Sequence, residues 1–239
     1  MNLRQAGKTL QDVQLGAPDA EADRMLAAYF LKTPHVEAAL RLRRTLFLGR
    51  KGAGKSALFT QLPRLVSEAG HTSTKVILVT PDQYAWSALR QYQEAGLLPE
   101  QAHANAWKFT LAIEAGVALA DITEESLASA DAIAALKRLK QFVRENYGDT
   151  APSILKTAGQ ILKGIRSFNL SAFGFGAGMS RAIEDQPVTP QIIESILAAV
   201  AAVATEVDIV IALDKLDDSW EGSDQSKQLL IGLLKASKD

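Results

Sequence analysis

Eight consecutive residues in the first quarter of the chain combine glycines, a lysine and a serine at a spacing suited to phosphate chemistry. They fit the pattern G-x-x-x-x-G-K-[ST] and are Gly49, Arg50, Lys51, Gly52, Ala53, Gly54, Lys55 and Ser56. Without side chains, the glycines let the backbone N–H groups of residues 50–55 curl around phosphate oxygens at the positive end of the following helix. Lys55 is expected to reach the β and γ phosphates, and the Ser56 hydroxyl to bind Mg²⁺. The competing interpretation is a chance match on a glycine-containing turn.

Acidic residues follow an apolar run nearer the other end of the chain. Asp214 comes directly after the run 209–213, and a magnesium triphosphate site needs an acidic group at the carboxyl end of a neighbouring core strand. Asp217 and Asp218 lie just beyond and are candidates to orient or deprotonate an attacking water. Asp is also a common turn former at strand ends. The interpretation of Asp214 as a magnesium ligand therefore depends on the presence of the glycine-rich loop in the same chain.

Together, the two segments resemble the Walker A and Walker B motifs of the additional-strand P-loop ATPases. GRKGAGKS matches the first motif and IVIALDKLDD the second, and the form D-x-L-D-D is similar to the acidic motif of STAND and KAP NTPases. The leader, with Tyr29, Phe30 and Thr33, also resembles bacterial P-loop ATPases associated with antiphage defence. The resemblance implies an ATP-driven or ATP-gated molecular switch, coupled to homo-oligomerisation or to an effector domain or subunit.

Two features depart from that family's pattern. Many fast relatives carry Glu directly after the Walker B Asp, whereas this chain has Lys215, so catalysis would rest on Asp217, Asp218 or a residue supplied elsewhere, and turnover would be slow. Only residues 215–239 follow Asp214, although the class continues with further strands and a sensor residue. The sequence is therefore expected to be the front portion of a longer protein.

The elements that must position these residues alternate as in an α/β protein. Apolar spacing predicts helices over residues 19–32, 35–43, 55–68, 191–205 and 225–235. Short apolar runs predict buried strands over residues 45–48, 75–80 and 209–213. In the additional-strand class a later strand separates the P-loop strand from the Walker B strand, so Leu46 and Val210 are expected not to lie on directly paired strands.

The predicted fold is a P-loop NTPase with a mostly parallel sheet flanked by helices. Residues 1–82 would form an N-terminal helix and the P-loop half of the core, and residues 187–239 the Walker B half. Between them, residues 83–186 are rich in helix-forming side chains and predict a helical insertion, with an irregular strand or hairpin near 167–181.

Composition limits the partners. Lys and Arg number 26 against 27 Asp and Glu, so no basic field indicates nucleic acid. The absence of cysteine and of an apolar leader fits a cytoplasmic protein. The apolar stretch 196–213 is interrupted by Glu206 and Asp208, whereas a membrane span needs about 20 apolar residues. No membrane partner is expected.

Several other side chains are weaker candidates for the nucleotide site. Arg50 and Lys51 could touch a γ-phosphate, although solvated loop cations are the simpler interpretation, and any of three arginines could act as an arginine finger: Arg144, Arg166 and Arg181. Four aromatic residues in helical segments could stack nucleobases, but no basic cluster accompanies them, which favours ordinary packing: Tyr84, Trp86, Tyr92 and Trp107.

The sequence therefore predicts magnesium-dependent binding and hydrolysis of ATP. Two alternatives stay open: a module in which the nucleotide gates assembly with negligible hydrolysis, as Lys215 would favour, and a small-molecule kinase that uses the same loop. ATP and GTP are not distinguished by these residues.

Overall fold

A computed structural model of the protein divides the chain into two compact units, Met1–Gly70 and His71–Asp239. Helices occur in both units and parallel strands in the second, so the chain is α/β overall. The structure describes residues 17, 19–20, 22–41, 46–80, 86–148, 167–168, 171–174, 181–182, 190–216 and 222–238. Within these residues, no helix has both the length and the apolar character needed to cross a membrane.

Short helices precede the glycine-rich loop in the first unit, and one longer helix follows it. The helices of the described part are α1 (Leu26–Tyr29), α2 (Pro34–Leu40) and α3 (Lys55–Glu68). At the start of α2, Thr33 Oγ1 accepts a hydrogen bond from the N–H of Val36 (3.4 Å). Pro34 suits the first helical position because an N–H would have no partner within the helix there. α2 packs against α3.

Two sequence predictions for this unit differ from the structure. Among the described residues of the helix predicted over 19–32, α1 alone is helical, and it ends where Phe30 takes an extended backbone (φ −64°, ψ 121°). The predicted strand at 45–48 is not seen in its described part: residues 46–50 form no strand, and Leu46 and Leu48 are 71% and 86% exposed. An apolar run becomes a strand only where a neighbouring strand supplies hydrogen-bond partners.

The second unit contains a small parallel sheet and a group of longer helices. Its elements are β1 (Thr74–Val79), α4 (Trp86–Glu94), α5 (Pro99–Leu119), α6 (Ala130–Tyr147), β2 (Ser167–Phe168), β3 (Arg181–Ala182), α7 (Pro190–Ala204), β4 (Asp208–Leu213) and α8 (Asp224–Ala236).

β1 and β4 are parallel neighbours, in register from Thr74 opposite Asp208 to Val79 opposite Leu213. The apolar runs predict both strands to within one residue at each end. Val210 pairs with Val76; since Leu46 lies in no strand, the expectation about Leu46 and Val210 stays a prediction.

One face of this sheet lies against the core. Ile77 and Val79 of β1 are fully buried, and the matching residues of β4 are partly buried against the same cluster: Ile209, Ile211 and Leu213. Because side chains alternate along a strand, Val76, Leu78, Val210 and Ala212 occupy the opposite face, where they are only partly buried. The two-stranded sheet is therefore anchored to the core through one face.

α5 is the central helix of the second unit. It packs against β1 and against α4, α6, α7 and α8, and most of its residues from Ala102 to Leu119 are buried. The middle of the chain is thus helical at α4, α5 and α6, and α5 shares one hydrophobic core with the sheet. The division into domains at 82/83 and 186/187 remains a prediction.

Specific contacts hold α8 and β4 to this core. The indole Nε1 of Trp107 in α5 donates to the backbone oxygen of Leu229 in α8 (2.9 Å). Before β4, the Glu206 carboxylate accepts hydrogen bonds from the N–H groups of Ala128 (2.6 Å) and Ser129 (2.7 Å), at the start of α6. The elements on both sides of Asp214 are therefore held by hydrogen bonds, to α6 before β4 and to α5 at α8.

A short antiparallel pair, β2 with β3, occurs in the stretch for which the sequence predicts an irregular strand or hairpin. Between these strands, the turn Ser171–Phe173 docks on α6. Ser171 Oγ lies 2.8 Å and 2.9 Å from the two carboxylate oxygens of Glu145, and the ring of Phe173 packs against Phe142.

Candidate functional site

The loop at residues 49–54 is exposed and leads directly into α3. Gly52 and Gly54 have φ values of +80° and +82°, a left-handed conformation that side chains other than glycine rarely adopt. The N–H of Ala53 donates to the Arg50 oxygen (3.1 Å), which closes a tight turn within the loop. Glycine at positions 52 and 54 thus allows the left-handed backbone of this turn.

The first turn of α3 is open to an acceptor from outside the helix. Gly54 occupies the N-cap position and makes no side-chain capping hydrogen bond. The first N–H groups of any α-helix have no partner within the helix, and they carry the positive end of its dipole. α3 runs for 14 residues, so this end is a suitable place for an anion.

Lys55 folds back over the loop. Its Nζ donates to the backbone oxygens of Gly49 (2.9 Å) and Arg50 (3.3 Å). A Cβ atom at Gly49 would lie 3.2 Å from the Cβ of Ala53 and 3.8 Å from the Cδ of Lys55. The absence of a side chain at Gly49 therefore leaves room for the Ala53 side chain, and the two hydrogen bonds hold the Lys55 ammonium group on the loop.

Ser56 lies in the first turn of α3 and is partly buried. Its backbone oxygen accepts a hydrogen bond from Thr60 Oγ1 (2.9 Å). This contact orders the turn that carries Ser56, next to Lys55.

Asp214 directly follows β4. Its N–H donates to the Val79 oxygen (3.3 Å) and so continues the parallel pairing one residue beyond the strand. Its Oδ2 atom is buried and has no hydrogen-bond partner among the described residues. A buried acidic oxygen without a donor is costly, and a cation or its bound water would satisfy it. Asp214 therefore fits the role of a magnesium ligand.

The remaining predicted site residues divide by where they lie. Asp217, Asp218 and Arg166 lie outside the described residues. Arg144 is exposed in the last turn of α6. Within the described part of the chain, no group of three or more His, Cys, Asp or Glu side chains is placed to hold a metal ion. The glycine-rich loop belongs to the first compact unit and Asp214 to the second.

The aromatic candidates are mostly core residues where the structure describes them. Trp107 is fully buried and Tyr92 is 4% exposed, and burial raises the pKa of the Tyr92 hydroxyl. Both agree with ordinary packing. Tyr84 lies outside the described residues.

Sequence reasoning missed a set of polar residues inside α5. His103 and Glu114 are each 1% exposed, and Thr110 is fully buried. Burial, with the nearby charge of Glu114 as a second cause, raises the pKa of Tyr147 well above its ordinary value. Helical spacing does not separate such residues from surface ones when apolar residues surround the helix on all sides.

Comparisons of the chain with protein-family models, with curated proteins and with solved structures give no match.

Proposed function

We propose that this chain is a P-loop ATPase that binds Mg-ATP through Gly49–Ser56 and hydrolyses it slowly. The observation that carries the proposal is the loop geometry. Two glycines with left-handed backbones deliver an exposed loop to the uncapped start of a 14-residue helix, with the Lys55 ammonium group folded over it. This combination of N–H donors, helix dipole and cation suits a polyphosphate.

Each residue of the loop has a distinct task in this proposal. The backbone N–H groups of residues 50–55 bind phosphate oxygens, that of Ala53 leaving the Arg50 oxygen to do so. Lys55 exchanges its two carbonyl acceptors for the β and γ phosphates. Ser56 and Asp214 would hold Mg²⁺, which supplies charge neutralisation to the triphosphate when bound. Asp217 or Asp218 would position the attacking water. The assignment of these two residues rests on the sequence pattern.

The proposed role is that of a molecular switch acting with a homo-oligomeric partner or an effector domain or subunit. That role, and a place in bacterial antiphage defence, rest on the resemblance of GRKGAGKS and IVIALDKLDD to switch ATPases. One residue favours a second candidate, a nucleotide-gated assembly module with negligible hydrolysis: Lys215 stands where fast relatives carry Glu.

Phosphate release from the purified chain, with ATP and with GTP, separates the two candidates. An ATPase is expected to lose turnover in Lys55→Ala and in Asp217→Asn. The control variant is Lys32→Ala, which removes an equal charge from an exposed ion pair with Glu68 (3.3 Å) and should leave turnover unchanged.

The result that would contradict hydrolysis is phosphate release that is absent from the wild type or equal in wild type and Lys55→Ala. If nucleotide binding still depends on Lys55 in that case, the assembly module is the better description. A preference between ATP and GTP in the same assay identifies the base.

A further inference from the structure

Lys215 has an unusual backbone conformation. Its φ is +59°, and it is the only non-glycine residue with positive φ among those that the structure describes. In this left-handed region the Cβ atom crowds the backbone, so lysine occurs there rarely, whereas glycine and asparagine are accepted more easily. Residues held in such conformations persist where their surroundings fix them, and they occur often at functional sites.

The residues on either side of Lys215 supply that fixation. Asp214 is tied to β1 through its N–H and the Val79 oxygen (3.3 Å). Leu216 is partly buried and packs against the hydrophobic core. The chain must therefore turn between two anchored residues, and Lys215 takes the left-handed conformation that makes the turn.

This turn bears directly on the candidate magnesium ligand. The Asp214 Oδ2 atom is buried without a hydrogen-bond partner among the described residues, so no donor holds it in place there. Its position therefore depends on the course of the backbone at residues 213–215. A change of φ at Lys215 would rotate the peptide that follows Asp214 and shift the carboxylate.

We propose that Lys215 is a positioning residue: its left-handed backbone holds the Asp214 carboxylate at the end of β4 in the orientation that binds the divalent cation of the nucleotide. This inference rests on the proposed function. In this proposal the backbone conformation of residue 215, and not its side-chain charge, keeps the acidic ligand at residue 214 in place.

Two variants separate conformation from charge. Lys215→Asn and Lys215→Val both remove the ammonium group, but asparagine accepts positive φ whereas a β-branched residue strongly disfavours it. ATP binding to the intact chain is measured by calorimetry at a series of Mg²⁺ concentrations. The Asn variant should keep the half-saturating Mg²⁺ concentration of the wild type, and the Val variant should raise it about tenfold.

Two further measurements accompany the titration. ATP binding without metal should be equal in the wild type and both variants, because the proposal concerns the cation ligand alone. Thermal unfolding without metal or nucleotide checks that each variant is folded. If Lys215→Val does not fold, Lys215→Thr replaces it, since threonine is also β-branched and has a smaller apolar surface.

An equal rise in both variants would assign the effect to the lysine charge and overturn the proposal, as would no rise in either. Asp214→Asn and Lys55→Ala, titrated in parallel, separate this failure from failure of the proposed function. If Asp214→Asn weakens the Mg²⁺ dependence while Lys215→Val leaves it unchanged, only the positioning role is wrong. If the wild type shows no magnesium-dependent ATP binding, both are wrong.

Discussion

At the scale of single residues, Lys55 is expected to contribute most to nucleotide affinity. Its ammonium Nζ donates to the Gly49 and Arg50 oxygens, which places a cation directly on the loop. A charge-assisted contact is worth about 1.5–3 kcal/mol, so Lys55→Ala should weaken ATP binding by about one to two decades in dissociation constant. Calorimetry on both proteins measures this directly. Equal affinity would contradict the phosphate-binding assignment of the loop.

Asp214 should contribute to magnesium binding and not to the binding of the nucleotide itself. Replacing it with Asn keeps the shape of the side chain and removes its charge, so ATP binding should lose much of its magnesium dependence while metal-free binding survives. Asp208→Asn is the matched control, since Asp208 is exposed at the opposite end of the same strand. If the magnesium dependence of Asp214→Asn equals that of Asp208→Asn, the metal ligand lies elsewhere.

The sequence is informative about some of these residues and silent about others. The pattern GRKGAGKS specifies where backbone freedom is needed, and Gly52 and Gly54 have the positive φ values that such a loop requires. It gives no sign of the conformation of Lys215, because lysine carries no preference for positive φ. That conformation follows from the anchoring of Asp214 and Leu216 on either side. Asp214 is anchored by Val79, which lies far away in sequence.

At the scale of elements, the same sequence signal gave different outcomes. Apolar runs predicted the strands at 75–80 and 209–213, and the structure pairs Thr74–Val79 with Asp208–Leu213. A similar run at 45–48 does not form a strand over its described residues. A run of apolar side chains reports a tendency to be buried, but the hydrogen-bonded neighbour that makes a strand is supplied by another segment.

The crossing of α5 and α8 offers a prediction about helix packing. A Cβ at Gly232 would lie 2.5 Å from the His103 Cβ and 2.8 Å from the His103 carbonyl carbon. Because backbone cannot move away as a side chain can, Gly232→Ala should destabilise the protein by about 1–3 kcal/mol. Chemical denaturation followed by circular dichroism measures the change.

Gly116 is the matched control, since it is also a glycine inside a helix of the core. A Cβ there would meet Leu139 Cδ2 at 3.4 Å and Ile196 Cγ2 at 3.7 Å, both ordinary contacts with flexible side chains. Alanine favours helix over glycine by about 1 kcal/mol, so Gly116→Ala should be neutral or stabilising. Similar losses in both variants would show that the α5–α8 approach is looser than these distances imply.

At the scale of the whole molecule, the least predictable feature is the central position of α5. The sequence predicts that the middle of the chain is helical, and it predicts an insertion beside the nucleotide-binding core. In the structure, α5 packs on β1 and on four other helices. Apolar residues on all sides of a helix indicate burial, but they do not identify the elements that cover it. That information lies in the complementarity of distant segments, such as Trp107 with Leu229.

Burial of His103 in this core predicts how stability depends on pH. His103 is 1% exposed and lies where α5 meets α8, and burial lowers its pKa below the ordinary value of 6.5. Between 6.5 and that lower pKa, the unfolded chain binds a proton that the folded chain does not. The free energy of unfolding should therefore fall as the pH falls below 6.5, by up to about 1.4 kcal/mol per pH unit from this group. Above 6.5, His103 should contribute no pH dependence.

Denaturation curves at a series of pH values between 5 and 8, for the wild type and for His103→Gln, isolate this contribution. Glutamine cannot take up a proton, so the variant should lose the part of the acid slope that belongs to His103, whatever its stability at neutral pH. His71→Gln is the matched control, because it replaces an exposed histidine in the same unit. If His103→Gln and the wild type have parallel profiles, the imidazole is not held neutral at the helix crossing, and the acid sensitivity of the core must arise from its carboxylates.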